Sequence, residues 1–128
     1  MSVQHPIPPL FNADSEILIL GSFPSVKSRE TGFFYGHPQN RFWKVLATLC
    51  GEPLPQTVEE KKNLVLRHRL ALWDVIASCE IEGSSDSSIH DVVPNDLLPM
   101  LENSRIQRIF VNGTTAAKLY QRFLFPTV

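Results

Sequence analysis

Residues 31–47 read TGFFYGHPQNRFWKVLA and bring Tyr35, His37 and Asn40 together just ahead of an apolar helical pattern. A tyrosine offers a flat ring and a hydroxyl. An asparagine amide can hold a water or read a polar edge, although it takes no proton at neutral pH. Asn40 also fits the cap of the helix behind it, where a side-chain oxygen accepts a backbone N–H. Phe33, Phe34 and Tyr35 could all be core, but three consecutive rings in a loop do not readily all turn inward. His37 has no His, Cys, Asp or Glu at ligand spacing and is not read as a metal ligand; Pro38 holds it extended. Asp74 interrupts the apolar run LALWDVIA, where a carboxylate requires a partner or a task. GSFPSVKS at 21–28 invites a phosphate-loop reading and fails it, because the second glycine with Lys-Ser/Thr is missing and no helix is expected there. Backbone N–H groups of such a turn can still hold an anion or a carbonyl. No Ser-His-Asp order or Cys-His pair is arranged for nucleophilic attack.

The elements that must position these residues follow from periodicity. HPIPPLFNADS at 5–15 is an extended lead-in, and EILILGS at 16–22 is a short strand buried on both faces. A loop of 18 residues then runs over 23–40, longer than the roughly 12–15 residues that structureless loops usually reach, which marks it as functional. Phe42, Val45, Leu46 and Leu49 predict a helix from Arg41 that Gly51 closes. Thr57 and Glu60 form a capping-box pair for a helix over 57–68. LALWDVIA at 70–77 is a second strand and 78–94 a polar loop. Pro94 starts a helix to about Leu101, with Asn95 and Asp96 in its first turn. A strand over 105–112 and a helix over 113–125 complete the pattern. This order implies an α/β layer with a mostly parallel sheet. Ligands of such sheets lie beyond the carboxyl ends of the strands. Here those ends are Gly21–Ser22, Asp74–Val75 and Asn112–Gly113, which could converge on one cleft.

Composition sets the outer bounds. The chain of 128 residues is 43% hydrophobic and 20% charged, with 12 basic and 13 acidic residues for a net charge of -1. One domain over 1–128 is expected, without the basic excess of proteins that grip nucleic acid by bulk charge. Locally, however, Lys27, Arg29, Arg41 and Lys44 face a single acid, Glu30, between residues 22 and 47. That rim suits phosphate contacts or a solvated loop equally. Cys50 and Cys79 read as buried thiols rather than a disulfide or metal site. No apolar run reaches bilayer length and no secretory signal is read, so a cytoplasmic protein with no membrane role is expected.

GSFPS followed by TGFFYGHPQNRFWKVL resembles the uracil-DNA glycosylase superfamily. These stretches, with ALWDVIASCEIEGSSDSSI, are most similar to its hypoxanthine branch and also similar to the mismatch-specific branch. RIFVNGTTAAKLYQRF fits the strand and helix ahead of the superfamily's second motif, and the likeness covers residues 16–124. The resemblance implies a three-layer α/β/α sandwich around a short, mostly parallel sheet. It implies a monofunctional enzyme of base excision repair, acting as a monomer on DNA that contains a deaminated or mismatched base. The base is flipped out and its N-glycosylic bond hydrolysed, with no metal and no cofactor.

Carried onto this chain, the resemblance gives Gly21, Ser22 and Phe23 backbone contacts to the base and Tyr35 a stacking role. Asn40 matches the catalytic amide; Asp74 and His37 fall among the groups that bind the base, and Ser25, Lys27 and Arg41 would touch the DNA backbone. Phe23 departs from the Asp or Asn that most branches use to orient water, so that task either moves to Asn40 or is lost. The final strand, helix and second motif are not found before Val128, so the domain reads as C-terminally truncated. Two other readings stay open: a catalytically degenerate module that binds DNA or a nucleobase, and a small-molecule hydrolase on the same kind of sheet.

Overall fold

In a computed structural model, the chain is described over residues 2–36, 40–83 and 85–125, apart from the side chains of Ser2, Lys27 and Asp86. Its centre is strand β2 (Ile17–Gly21), flanked in parallel by β3 (Leu70–Asp74) and β6 (Arg108–Val111). The register pairs Leu20 with Trp73 and Val111, and Gly21 with Asp74. Burial on both faces, read from ILIL, holds fully for Leu18 and Leu20, while Ile17 and Ile19 on the other face are half-buried. Leu18 and Leu20 point to one core with Ala71, Val75, Met100 and Leu124, while Ile17 and Ile19 pack toward another with Trp43, Leu46, Leu64 and Leu72. The second core is supplied by helices α2 (Phe42–Cys50) and α3 (Val58–Arg67), the first by α4 (Leu98–Glu102) and α5 (Thr114–Leu119). A π-helical turn, Tyr120–Leu124, follows α5. The molecule is therefore the expected α/β/α sandwich. Leu18, Leu20, Leu64 and Leu72 are almost wholly buried, each worth roughly 1.5–3 kcal/mol relative to exposure.

Four expectations need correction. Residues 23–40 are not all loop: α1 (Val26–Thr31) begins there. It lacks apolar periodicity and rests on its ends, since the Ser25 hydroxyl accepts the Ser28 N–H at its start and Gly32, at φ 73°, closes it. The strand read over 70–77 is two strands in two sheets. β3 ends at Asp74, and β4 (Ile76–Glu80) joins an antiparallel sheet with β1 (Ser2–Gln4) and β5 (His90–Pro94). Val75 makes the switch: its N–H donates to Gly21 O at 2.8 Å and its carbonyl accepts the Asn95 N–H at 2.7 Å. The supposed loop 78–94 thus holds most of β4 and all of β5. Pro94 ends a strand rather than starting a helix; α4 starts at Leu98, whose N–H is capped by Asp96 Oδ1 at 3.1 Å.

The capping pair of α3 forms as read, with Thr57 Oγ1 accepting the Glu60 N–H at 3.1 Å. Cys50 is partly buried and Cys79 buried, both as free thiols. Among the described residues no helix is long and apolar enough to cross a membrane, and no group of three or more His, Cys, Asp or Glu could hold a metal ion.

Candidate active site

Beyond the carboxyl ends of the parallel strands lies a cavity of about 210 Å³. Its walls take in Gly21 ending β2 and Ser22, Phe23 and Ser25 after it, Phe34, Tyr35 and Asn40 from the aromatic loop, Asp74 ending β3, and Asn112 after β6. All three strand ends read from the sequence converge here. At this size the space suits one heterocycle, below the roughly 300–1,000 Å³ of drug-sized clefts.

The turn after β2 is stitched down by its carbonyls, Gly21 O to the Val75 N–H and Ser22 O to the Ile76 N–H at 3.1 Å. Gly21 is glycine for a reason of space: a β-carbon there would overlap Asp74 Oδ1 and lie 3.2 Å from the Tyr35 hydroxyl. Those two polar atoms therefore occupy the room that a side chain would take. Asp74, with 5% exposure, has the partner its setting demanded. Its Oδ2 sits 2.7 Å from His5 Nε2, a contact between residues 69 positions apart in the chain.

The three aromatics of the loop divide as the sequence suggested. Phe33 and Phe34 enter the core, whereas Tyr35 turns to the cavity at φ 52°. A bulky residue at positive φ costs on the order of 1–3 kcal/mol and persists where its surroundings enforce it. Here Phe42 stacks against one face of the Tyr35 ring, with centroids 3.8 Å apart and planes at 15°, and Trp43 meets it edge-on at 6.5 Å. The Tyr35 hydroxyl accepts Asn112 Nδ2–H at 3.2 Å. Burial and, less strongly, the nearby Asp74 charge push the phenol well above its ordinary pKa, against a smaller lowering by Asn112. Tyr35 is thus held as a neutral phenol.

Asn40 both lines the cavity and caps α2. Its Oδ1 accepts the Phe42 N–H at 2.8 Å; among the described residues, one lone pair of that oxygen and the amide NH₂ have no other partner. The indole Nε1–H of Trp43 donates to Phe34 O at 3.1 Å, pinning the helix start to the loop.

The remaining sequence-derived positions separate. Ser25 is at the cavity wall with its hydroxyl committed to α1 and to Ser28 Oγ at 3.1 Å. Arg41 is exposed and faces a neighbouring surface groove with Lys44, Val45, Thr48 and Leu49 rather than the cavity. Arg29, counted in the basic rim, is committed inward: it donates to Gly83 O at 2.6 Å and stands 5.5 Å from the Phe23 ring centre. His37 and the Lys27 side chain lie outside the described residues.

Two contributors escaped the sequence reading. Ser28, 2% exposed, accepts the Gly36 N–H at 2.8 Å and so ties α1 to the loop just past Tyr35. Its spacing from Ser25 is the cap pattern that could have revealed it. His5, in the proline-rich lead-in, gave no local signal at all.

A parallel sheet between helical layers, with a cavity beyond the carboxyl ends of its strands, defines an α/β protein with a cleft where such sheets bind their ligands. Family comparison narrows this: the chain belongs to the uracil DNA glycosylase superfamily, whose family model matches residues 8–128. It is therefore a DNA glycosylase, a hydrolase of N-glycosyl bonds with DNA as its substrate.

A hypoxanthine DNA glycosylase of Methanosarcina acetivorans is 37% identical over 118 residues, which span 91% of this chain and 75% of that protein. One from Methanosarcina barkeri is 40% identical over 86 residues, 66% of this chain and 54% of that protein. In three dimensions the chain is similar to a candidate uracil DNA glycosylase of M. acetivorans solved by NMR. That match has a TM-score of 0.79 at 37% identity and covers 97% of this chain and 77% of the other.

Proposed function

We propose that the cavity receives a deaminated base, hypoxanthine foremost, swung out of DNA, and that Asn40 serves the hydrolysis of its N-glycosylic bond. One observation carries this reading: Tyr35, Asn40, Asp74 and the Gly21–Phe23 turn, scattered over 54 residues of sequence, border one cavity sized for a single ring system. The names of the two relatives favour hypoxanthine over uracil.

Extruding a base costs a few kcal/mol, least for a mispaired one. Stacking on Tyr35 returns part of that cost, about 1–3 kcal/mol per base. Phe42 braces the opposite face of the tyrosine ring. Deamination turns the ring nitrogen of adenine (N1) or cytosine (N3) from a lone-pair acceptor into an N–H donor. The Asp74 carboxylate accepts from such a donor and repels the parent base, whose lone pair would face it. As the C1′–N bond breaks, its electron pair leaves with the base and positive charge develops on the sugar. Asn40 cannot remove a proton, so its part is to hold the water whose oxygen bonds to C1′. One water proton ends on the departing base. Neither a metal nor a redox cofactor enters this scheme.

The test is alkali cleavage of oligonucleotides carrying hypoxanthine, uracil, xanthine or mismatched thymine after incubation with the chain. Hypoxanthine sites are cut first and fastest. Lesion-dependent DNA binding without any abasic product would replace this reading with that of a binding module.

A further inference from the structure

We propose that His5 is a positioning residue that fixes Asp74 as a hydrogen-bond acceptor toward the cavity, and thereby sets which bases can be read. This rests on the base-pocket reading above and assigns the discriminating step to a residue that does not touch the base.

The backbone N–H of Ile7 donates to His5 Nδ1 at 3.3 Å. That nitrogen is therefore bare, and the ring proton sits on Nε2. Nε2 in turn lies 2.7 Å from Asp74 Oδ2, so the histidine donates and the carboxylate accepts. The opposite polarity, a protonated Asp74 donating to His5, would need a proton on Nδ1 and would set it against the Ile7 N–H. The pair is nearly sealed from solvent, with 4% and 6% of the side chains exposed.

Neither member is free to turn. The His5 N–H donates to Ala77 O at 2.7 Å in continuation of the β1–β4 pairing, and the ring is walled by Phe23, Phe34 and Trp73 at 5.9–6.4 Å. The backbone carbonyl of Asp74 accepts Asn95 Nδ2–H at 2.8 Å. With Oδ2 committed to His5, the oxygen left to a ligand is Oδ1, seated over Gly21 where a β-carbon would otherwise be. His5 itself is not part of the cavity wall. A ligand thus meets an acceptor whose character is decided one residue behind it.

Asp74→Asn makes this testable, because an amide has one accepting and one donating end. With His5 donating, the Asn oxygen is drawn to His5 and its NH₂ is left facing the cavity, where it confronts the N–H of a deaminated base. Glutamine at position 5 can present either end of its own amide. In His5→Gln it donates to Asp74 as histidine does; in His5→Gln with Asp74→Asn, both amides can rotate together and return an oxygen to the cavity.

Kinetics of hypoxanthine release and nitrogen NMR decide the matter. His5→Gln alone loses no more than about threefold in kcat/KM, and Asp74→Asn loses about 100-fold. The double variant recovers about tenfold over Asp74→Asn, a coupling typical of residues in one network. A double variant no better than Asp74→Asn would reduce His5 to a packing residue and overturn the proposal. An Asp74→Asn rate equal to that of the wild type would overturn it as well. In the unmodified protein, long-range ¹H–¹⁵N spectra show His5 protonated at Nε2 and bare at Nδ1. A proton on Nδ1 would overturn the proposal whatever the activity. If the wild-type chain released no base at all, the glycosylase reading would fall and the nitrogen spectra alone would decide His5.

Discussion

Asn40 combines an observed cap with a proposed catalytic task, and substitution can separate the two. Its Oδ1 caps α2 through the Phe42 N–H at 2.8 Å, and its remaining polar capacity faces the cavity. Asn40→Ala removes both. The cap is worth about 1 kcal/mol, within a range of 0.5–2. Loss of a group that organises the transition state costs about 2.7–4 kcal/mol, or 100- to 1,000-fold in rate. The two effects cannot be mistaken for one another. A domain of even 5 kcal/mol stability that loses 1 kcal/mol is still more than 99% folded, so a 100-fold drop in product cannot come from unfolding.

Asn40→Ser sharpens the comparison. Serine caps about as well as asparagine, but its hydroxyl is shorter and carries no amide. Urea midpoints for the serine variant match the wild type and those for the alanine variant fall. Single-turnover release of hypoxanthine drops at least about 100-fold in both, while anisotropy shows lesion DNA still bound. If the serine variant kept the wild-type rate, Asn40 would be a helix cap and nothing more, and the proposed water-holding role would be wrong.

Other outcomes follow from the same geometry. Gly21→Ala drives a methyl into Asp74 Oδ1 and costs about 1–3 kcal/mol of stability from overpacking, read by urea denaturation, with base release falling alongside. Tyr35 resists ionisation in the fold, whereas an unfolded tyrosine ionises near pH 10. The unfolded state therefore binds fewer protons than the native one above that pH, and stability falls from about pH 10 upward by at most about 1.4 kcal/mol per pH unit. Tyr35→Phe removes that part of the decline, as unfolding midpoints against pH will show. Ser28→Ala leaves the Gly36 N–H without its acceptor at a cost of about 1–3 kcal/mol, and it slows release by loosening the turn at Tyr35. Unchanged thermal stability in this variant would remove Ser28 as the anchor of the loop.

Local physics explains which parts of this were legible in sequence. ILIL could be read as a strand between two cores because side chains alternate across the sheet, although the face of Ile17 and Ile19 is only half covered. Asp74 stands out because a carboxylate is the wrong type for an apolar strand, whereas Tyr35 and Asn40 also fit core packing and a helix cap and owe their site reading to the resemblance. α1 was missed because six residues held by a serine cap and a glycine stop need no apolar stripe. β3 and β4 fused into one predicted strand because LALWDVIA is apolar throughout. What divides them is the hydrogen bonding of Val75 to Gly21 and Asn95, distant in the chain. His5 was invisible for the same reason: its meaning is a contact 69 residues away, and no window along the chain contains it.

The chain has two tryptophans, and one of them, Trp43, stands one ring from the cavity. Trp43 packs edge-on against Tyr35, and Trp73 against His5. Nature has thereby built in its own optical probe. Whatever settles on Tyr35 alters the surroundings of the Trp43 indole, so occupancy can be followed by a change in ultraviolet emission without attaching a dye.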